Sequence, residues 1–145
     1  MKYSYKAFPL SHTDPVTKLD YAWRPVLRVF ISHNGKRSAP LESLVDTGAG
    51  HCVFDAEIAD GLGIPVRKGQ EVAFSGIARG AETIGYLHMV TLTVAAQNYD
   101  APIVFAYSLS TTGVLGQIGF FDHFIVTFDW TPHPPCFDVQ RIPRI

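Results

Sequence analysis

The segment Leu44-Val45-Asp46-Thr47-Gly48-Ala49-Gly50 puts a carboxylate at the end of an apolar run and at the start of a small-residue turn. A carboxylate activates water toward a carbonyl only when it is well oriented and its proton affinity suits the task. An isolated aspartate, with an ordinary pKa of about 4, is a weak base and a poor acid. Two carboxylates in contact behave differently. They cannot both ionise cheaply, so they share one proton. One then acts as base toward water while the other donates a hydrogen bond to the substrate carbonyl, and the titration belongs to the pair. The residues around Asp46 fit that task. Gly48 permits a sharp turn and close backbone approach. Thr47 offers a hydroxyl that can bond a second copy of the loop, and the small Ala49 leaves room for a peptide. The chain has one Asp-Thr-Gly; Ser110-Thr111-Thr112-Gly113 lacks the carboxylate. A dyad therefore requires the Asp46 of another copy, in a symmetric homodimer. The bland reading of Asp46 is a plain turn residue beside Thr-Gly.

The elements that must hold this loop are short strands. Val26 to Ser32 alternates, with Leu27, Val29 and Ile31 on one face. Asn34-Gly35 then signals a tight hairpin, because both central residues of a type I′ turn need positive φ. The returning run, 38–45, carries Leu41, Ser43 and Val45 on one face and ends at Asp46. His51 to Phe54 is a short apolar strand. A brief helix follows, capped by Asp55, with Ile58 and Leu62 on one side and Gly63 and Pro65 at its end. Residues 71–94 read as two strands around a glycine-bearing tip, Gly76 to Gly80. Val90, Leu92 and Val94 alternate with Thr91 and Thr93. Residues 101–108 form another strand. Val114-Leu115-Gly116 ends a strand and leads into a short helical turn, and 124–130 is a last strand with Phe124, Val126, Phe128 and Trp130 on one side. Strands this short, with turn signals this frequent, predict a closed or nearly closed all-β domain with one or two short helices.

Three of these stretches resemble one family. Leu44 to Ala49, followed by an apolar strand, is similar to the active-site loop of aspartic proteases. Val114 to Phe121 resembles their second hallmark, two aliphatics and a glycine leading into a short helix, about seventy positions after Asp46. Phe74 to Tyr86 stands where the family places its flap hairpin. Order and spacing over about residues 25–130 resemble the single-lobe retropepsin type, which includes bacterial and cellular relatives of retroviral proteases. The resemblance implies a barrel-like retropepsin fold with a flap hairpin. It implies that Asp46 is the catalytic carboxylate, that Thr47 grips the partner subunit and that Gly48 meets substrate backbone. Ala49 and the flap residues Ser75, Gly76, Ile77, Ala78, Arg79 and Gly80 would enclose an extended peptide. Val114, Leu115 and Gly116 would pack behind the loop. Retroviral members often carry acidic residues after this motif; here Gly50 and His51 stand there, so their salt bridge is not carried over.

The expected layout is one domain over 1–145, with an N-terminal arm or extra edge strands in 1–24, a protease core in 25–130 and a proline-rich tail in 131–145 lying over the body or projecting to a partner. The 145 residues suit one domain, and 47% hydrophobic content supports a core. A net charge of −1 from 12 basic and 13 acidic side chains gives no bias toward nucleic acid or an anionic membrane. No signal-peptide or membrane-helix pattern is present, so a soluble, cytoplasmic protein is expected. Cys52 and Cys136 either pair or stay as thiols, the latter being expected, and they form no zinc spacing with the histidines. No metal or cofactor is expected. His51 reads as a strand-end residue, Cys52 as a buried thiol rather than a nucleophile, and His88 and His123 as hydrogen-bonded rather than ligating. The expected activity is an aspartic endopeptidase acting on peptide or protein substrates. The alternative is a dimeric module that binds peptides or serves assembly with little turnover. A dedicated processing protease is a third reading.

Overall fold

The computed structural model describes residues 1–75 and 82–143. The chain folds around a six-stranded closed barrel. Strands β4 (Val26–His33), β6 (Leu41–Val45), β11 (Gly113–Leu115), β7 (Cys52–Asp55), β10 (Gln97–Ala106) and β9 (Glu82–Val94) follow one another around it. Antiparallel pairing of β4 with β9, Ile31 opposite Leu92, closes the ring. The short β5 (Lys36–Arg37) extends one edge of this sheet and β8 (Gln70–Ser75) the other.

The period-2 pattern explains which side faces in. Leu27, Val29, Ile31, Val90, Leu92 and Val94 are all buried. In β6 the inward set is Leu41, Ser43 and Val45, and the buried Ser43 hydroxyl is satisfied by donating to the Leu41 carbonyl at 3.1 Å. The Asn34-Gly35 turn has φ of 47° and 77°, the left-handed pair that a type I′ hairpin requires. Asp55 caps helix α1 (Ala56–Gly61), its carboxylate accepting from the Glu57 N–H at 3.0 Å. Ala56, Ala59 and Leu62 are buried under it, Ile58 half-buried, and Gly63 ends it at φ +76°. A 3-10 turn, Val66–Lys68, leads into β8.

The segment after Gly116 forms turns rather than a helical turn. Phe121 N–H donates to the Gly116 carbonyl at 3.1 Å and Asp122 N–H to the Gln117 carbonyl at 3.1 Å, spans of five residues that are too wide for an α-helix. Gly119 sits at φ +102°, outside helical space, with its N–H held by the Asp122 carboxylate at 3.0 Å. The proline-rich tail contributes a strand. Cys136–Arg141 forms β13, the middle strand of a separate antiparallel sheet between β1 (Lys2–Ser4) and β12 (Phe124–Asp129). The prolines lie before and after the strand, where missing N–H groups cost nothing.

Phe124 of β12 joins the second sheet to the barrel, its ring edge-on to Tyr99 of β10 at 5.7 Å. Within the second sheet Phe137 is fully buried, with Tyr3 stacked at 5.5 Å and Tyr5 edge-on at 5.8 Å. On β12 Phe124 is buried and Val126 half-buried, but the expected face runs out beyond them: Phe128 is 38% exposed and Trp130 64%. Trp130 instead rests edge-on against Tyr5, its indole N–H donating to the Tyr5 hydroxyl at 3.3 Å. Of residues 1–24, the stretch beyond β1 forms a hairpin, β2 (Lys6–Pro9) with β3 (Tyr21–Arg24). Because β13 is structural, Phe137→Ala is expected to destabilise the fold by about 3–5 kcal/mol. Denaturant titration checks this, and a loss under about 1 kcal/mol would mean that the second sheet is dispensable.

Candidate active site

Asp46 is positioned by a crossing of distant segments. Strands β6 and β7 are sequence neighbours, yet they do not pair. Strand β11 lies between them, parallel to β6 and antiparallel to β7. The 46–51 loop must therefore pass over the end of β11, and the backbone beyond β11 ties it down. Asp46 N–H donates to the Leu115 carbonyl at 3.0 Å. The N–H groups of Gln117 and Ile118 donate to the carbonyls of Ala49 and Gly50 at 2.8 and 3.0 Å, and Cys52 N–H donates to Ile118 at 3.3 Å. The Gln117 side-chain amide adds a bond to the Thr47 carbonyl at 2.9 Å. Gly116 makes this approach possible: a Cβ there would lie 2.4 Å from the His51 carbonyl oxygen and 2.6 Å from that of Ala49.

Within the loop, the Gly48 N–H donates to Asp46 Oδ1 at 2.9 Å, and the Ala49 N–H to the Asp46 carbonyl at 3.2 Å. These bonds fix the carboxylate over a tight turn. Asp46 is half-buried, while Thr47, Gly48 and Gly50 are exposed. The Thr47 hydroxyl makes no hydrogen bond among the described residues.

Asp46 opens on a cavity of about 430 Å³. Gly48, Ala49 and Ser75 line it with Asp46, so the structure brings these four expected site residues together. Its other walls are mostly apolar: Val53, Phe74, Leu109 and Val114. Beneath lies a second small core, in which Val53, Val104 and Ala106 pack with Phe74 and Leu109. Gly76, Ile77, Ala78, Arg79 and Gly80 lie outside the described residues. The strands that bracket them, β8 and the start of β9, pair with Ser75 opposite Glu82.

Val114 is not behind the loop, as expected, but lines the cavity; Leu115 and Gly116 are the buried pair. This follows from strand alternation, since Leu115 faces the barrel interior. Phe54, at the end of the short apolar strand, is fully buried in the barrel. Leu109, Thr111 and Gln117 were not expected. Their only sequence signal is closeness to Val114-Leu115-Gly116.

His51 is half-buried beside the loop and its Nδ1 has no partner among the described residues. His88 Nε2 is bonded to the Val66 carbonyl at 2.8 Å. Among the described residues no group of three or more His, Cys, Asp or Glu side chains could hold a metal ion, and no helix is long and apolar enough to cross a membrane.

Cys52 is fully buried and unpaired, 3.3 Å from the Gly116 N–H, and burial pushes its thiol up to about 12. Alkylation needs an accessible thiolate. At about pH 8, iodoacetamide is expected to spare Cys52 in the native protein and to modify it after denaturation, as read by mass spectrometry. Rapid native labelling of Cys52 would return it to the set of candidate nucleophiles.

Comparison with known proteins agrees with this geometry. No curated protein sequence matches the chain. Among solved structures, the chain is similar to a retropepsin-like aspartic protease from Rickettsia conorii, with a TM-score of 0.55 and 15% identity over 79% of this chain and 89% of that one. It is also matched to EIAV protease complexed with the inhibitor HBY-793, at a TM-score of 0.46 and 24% identity over 65% of this chain and 82% of that one. The family model described as aspartyl protease matches residues 29–117, well over half of the sequence, including the Asp46 loop and Val114-Leu115-Gly116. The chain belongs to the aspartyl protease family and has the retropepsin fold.

Proposed function

We propose that the protein is an aspartic endopeptidase that works as a homodimer, with water activated between the Asp46 carboxylates of two subunits. The observation that carries this reading is that, among the described residues, Asp46 is the only carboxylate lining an otherwise mostly apolar cavity. Its orientation is already fixed by Gly48 and by the strap at Leu115 to Ile118. One such group lacks a proton-sharing partner. A second copy related by a two-fold axis supplies it, and the exposed Thr47 and Gly48 lie at the surface where two loops would meet.

In the pair, one proton is shared. The ionised Asp46 takes a proton from water as the oxygen attacks the peptide carbonyl. The protonated Asp46 donates to the carbonyl oxygen, and a proton then passes to the leaving nitrogen. The apolar walls at Val53, Phe74, Leu109 and Val114 accept side chains beside the scissile bond and keep bulk water out. The arms β8 and β9 carry the proposed flap, with Ser75 at the cavity wall and 76–80 as its tip.

Turnover requires the singly protonated pair. A pair without a proton has no donor for the substrate carbonyl oxygen, so activity is favoured in acid. A peptide library digested from about pH 3 to about pH 7 is expected to show that profile, and Asp46→Asn is expected to lower the rate by about a thousandfold or more while the circular dichroism spectrum is kept. Peptide binding by the wild type with no cleavage at any pH would instead assign the domain to peptide recognition.

A further inference from the structure

We propose that the groove between the β2–β3 hairpin and residues 110–112 receives an acidic side chain of the substrate, and that Arg24 selects it. The inference rests on the endopeptidase reading and adds a charge to the substrate. The groove holds about 480 Å³, with Phe8, Arg24, Glu42, Leu44, Thr111 and Thr112 among its walls. It adjoins the Asp46 cavity. Thr111 lines both, and Leu44 pairs in register with Val114, which lines the Asp46 side. An extended peptide gains about 3.3 Å per residue, so a side chain a few positions from the scissile bond reaches this space.

The charges in the groove are unbalanced. Glu42, its one carboxylate among the described residues, is already engaged. Lys6 Nζ lies 2.6 Å from Oε2, and the Arg28 guanidinium donates to Oε1 at 3.1 and 3.0 Å. The Lys6 hydrogen bond, more than Arg28, holds this carboxyl below its usual range. Arg24 stands at the end of β3 with its side chain exposed, and it makes no ion pair or side-chain hydrogen bond among the described residues. Lys6 and Arg28 thus neutralise Glu42 and leave Arg24 as the unpaired charge among the described residues that line the groove. A guanidinium offers a planar fork that takes a carboxylate through two bonds at once. Phe8 and Leu44 can cover the methylenes of a glutamate, and Thr111 and Thr112 offer hydroxyls at the wall. A lysine at the same place meets like charge, and a glutamine loses the ionic part of the contact.

The test uses decapeptides with a central Leu-Phe bond, scanned with Glu, Gln or Lys at each flanking position. Wild-type protein is expected to cleave the Glu peptide about tenfold faster than the Gln peptide at one position, with the ratio shrinking in high salt. Arg24→Gln is expected to bring that ratio near one, and Arg24→Glu to turn the preference toward Lys. The same peptides are also titrated by fluorescence anisotropy against Asp46→Asn and against Asp46→Asn with Arg24→Gln. There the Glu preference should appear in binding and vanish in the double variant. A ratio near one at every position, or one that Arg24→Gln leaves untouched, overturns the proposal. An intact binding preference with no cleavage by wild type overturns the endopeptidase reading while supporting the role of Arg24.

Discussion

Everything at the candidate site depends on how closely the backbone at Gly116 approaches the carbonyls of Ala49 and His51. No side chain fits between them. That contact lets Gln117 and Ile118 bond the loop from below, and Asp46 N–H bond the end of β11. A loop of threonine, glycine and alanine has little packing of its own and would otherwise sample many geometries. The strap converts it into a fixed platform. Most of the loop's exposed surface is then free to meet something other than its own chain.

The strap is made by residues far apart in sequence. β11 reaches its place between β6 and β7 from beyond β8, β9 and β10 in the chain. Such non-local pairing carries a high loop-closure cost and favours slow, late formation of the site. The Asn34-Gly35 hairpin, the Asp55 cap and the long β9–β10 pairing join residues close in sequence and carry no such cost. The second sheet adds a further non-local layer, since β1 and β13 join the two ends of the chain. Within one subunit β13 already has neighbours on both sides. The proposed dimer therefore does not need to place a partner's strand beside β13, and the surface around the Asp46 loop remains for that contact.

Much of the barrel was legible because a half-buried strand shows its inward face every second residue. Leu27-Val29-Ile31 and Val90-Leu92-Val94 carry that signature in the sequence. Asp46 was legible for a chemical reason, a carboxylate between an apolar run and Thr-Gly-Ala. The second sheet was not. Prolines at 132, 134 and 135 hide the strand that starts at Cys136, because local turn signals say nothing of a partner strand more than a hundred residues away. Leu109, Thr111 and Gln117 were missed for a similar reason. Their positions depend on β11 threading between β6 and β7, which no local pattern encodes. Phe128 and Trp130 show the reverse error: a regular alternation continues past the point where the core ends.

The central claim is that neither subunit holds a whole active site. Mixing wild-type protein with Asp46→Asn tests it most directly, once subunits have exchanged and total protein is held constant. If the dyad is shared, only pairs with two aspartates work, and equal mixing leaves about one quarter of the wild-type rate. The decline should follow the square of the wild-type fraction. A linear decline, with about half the rate left at equal mixing, would mean that each chain cleaves by itself and would contradict the account.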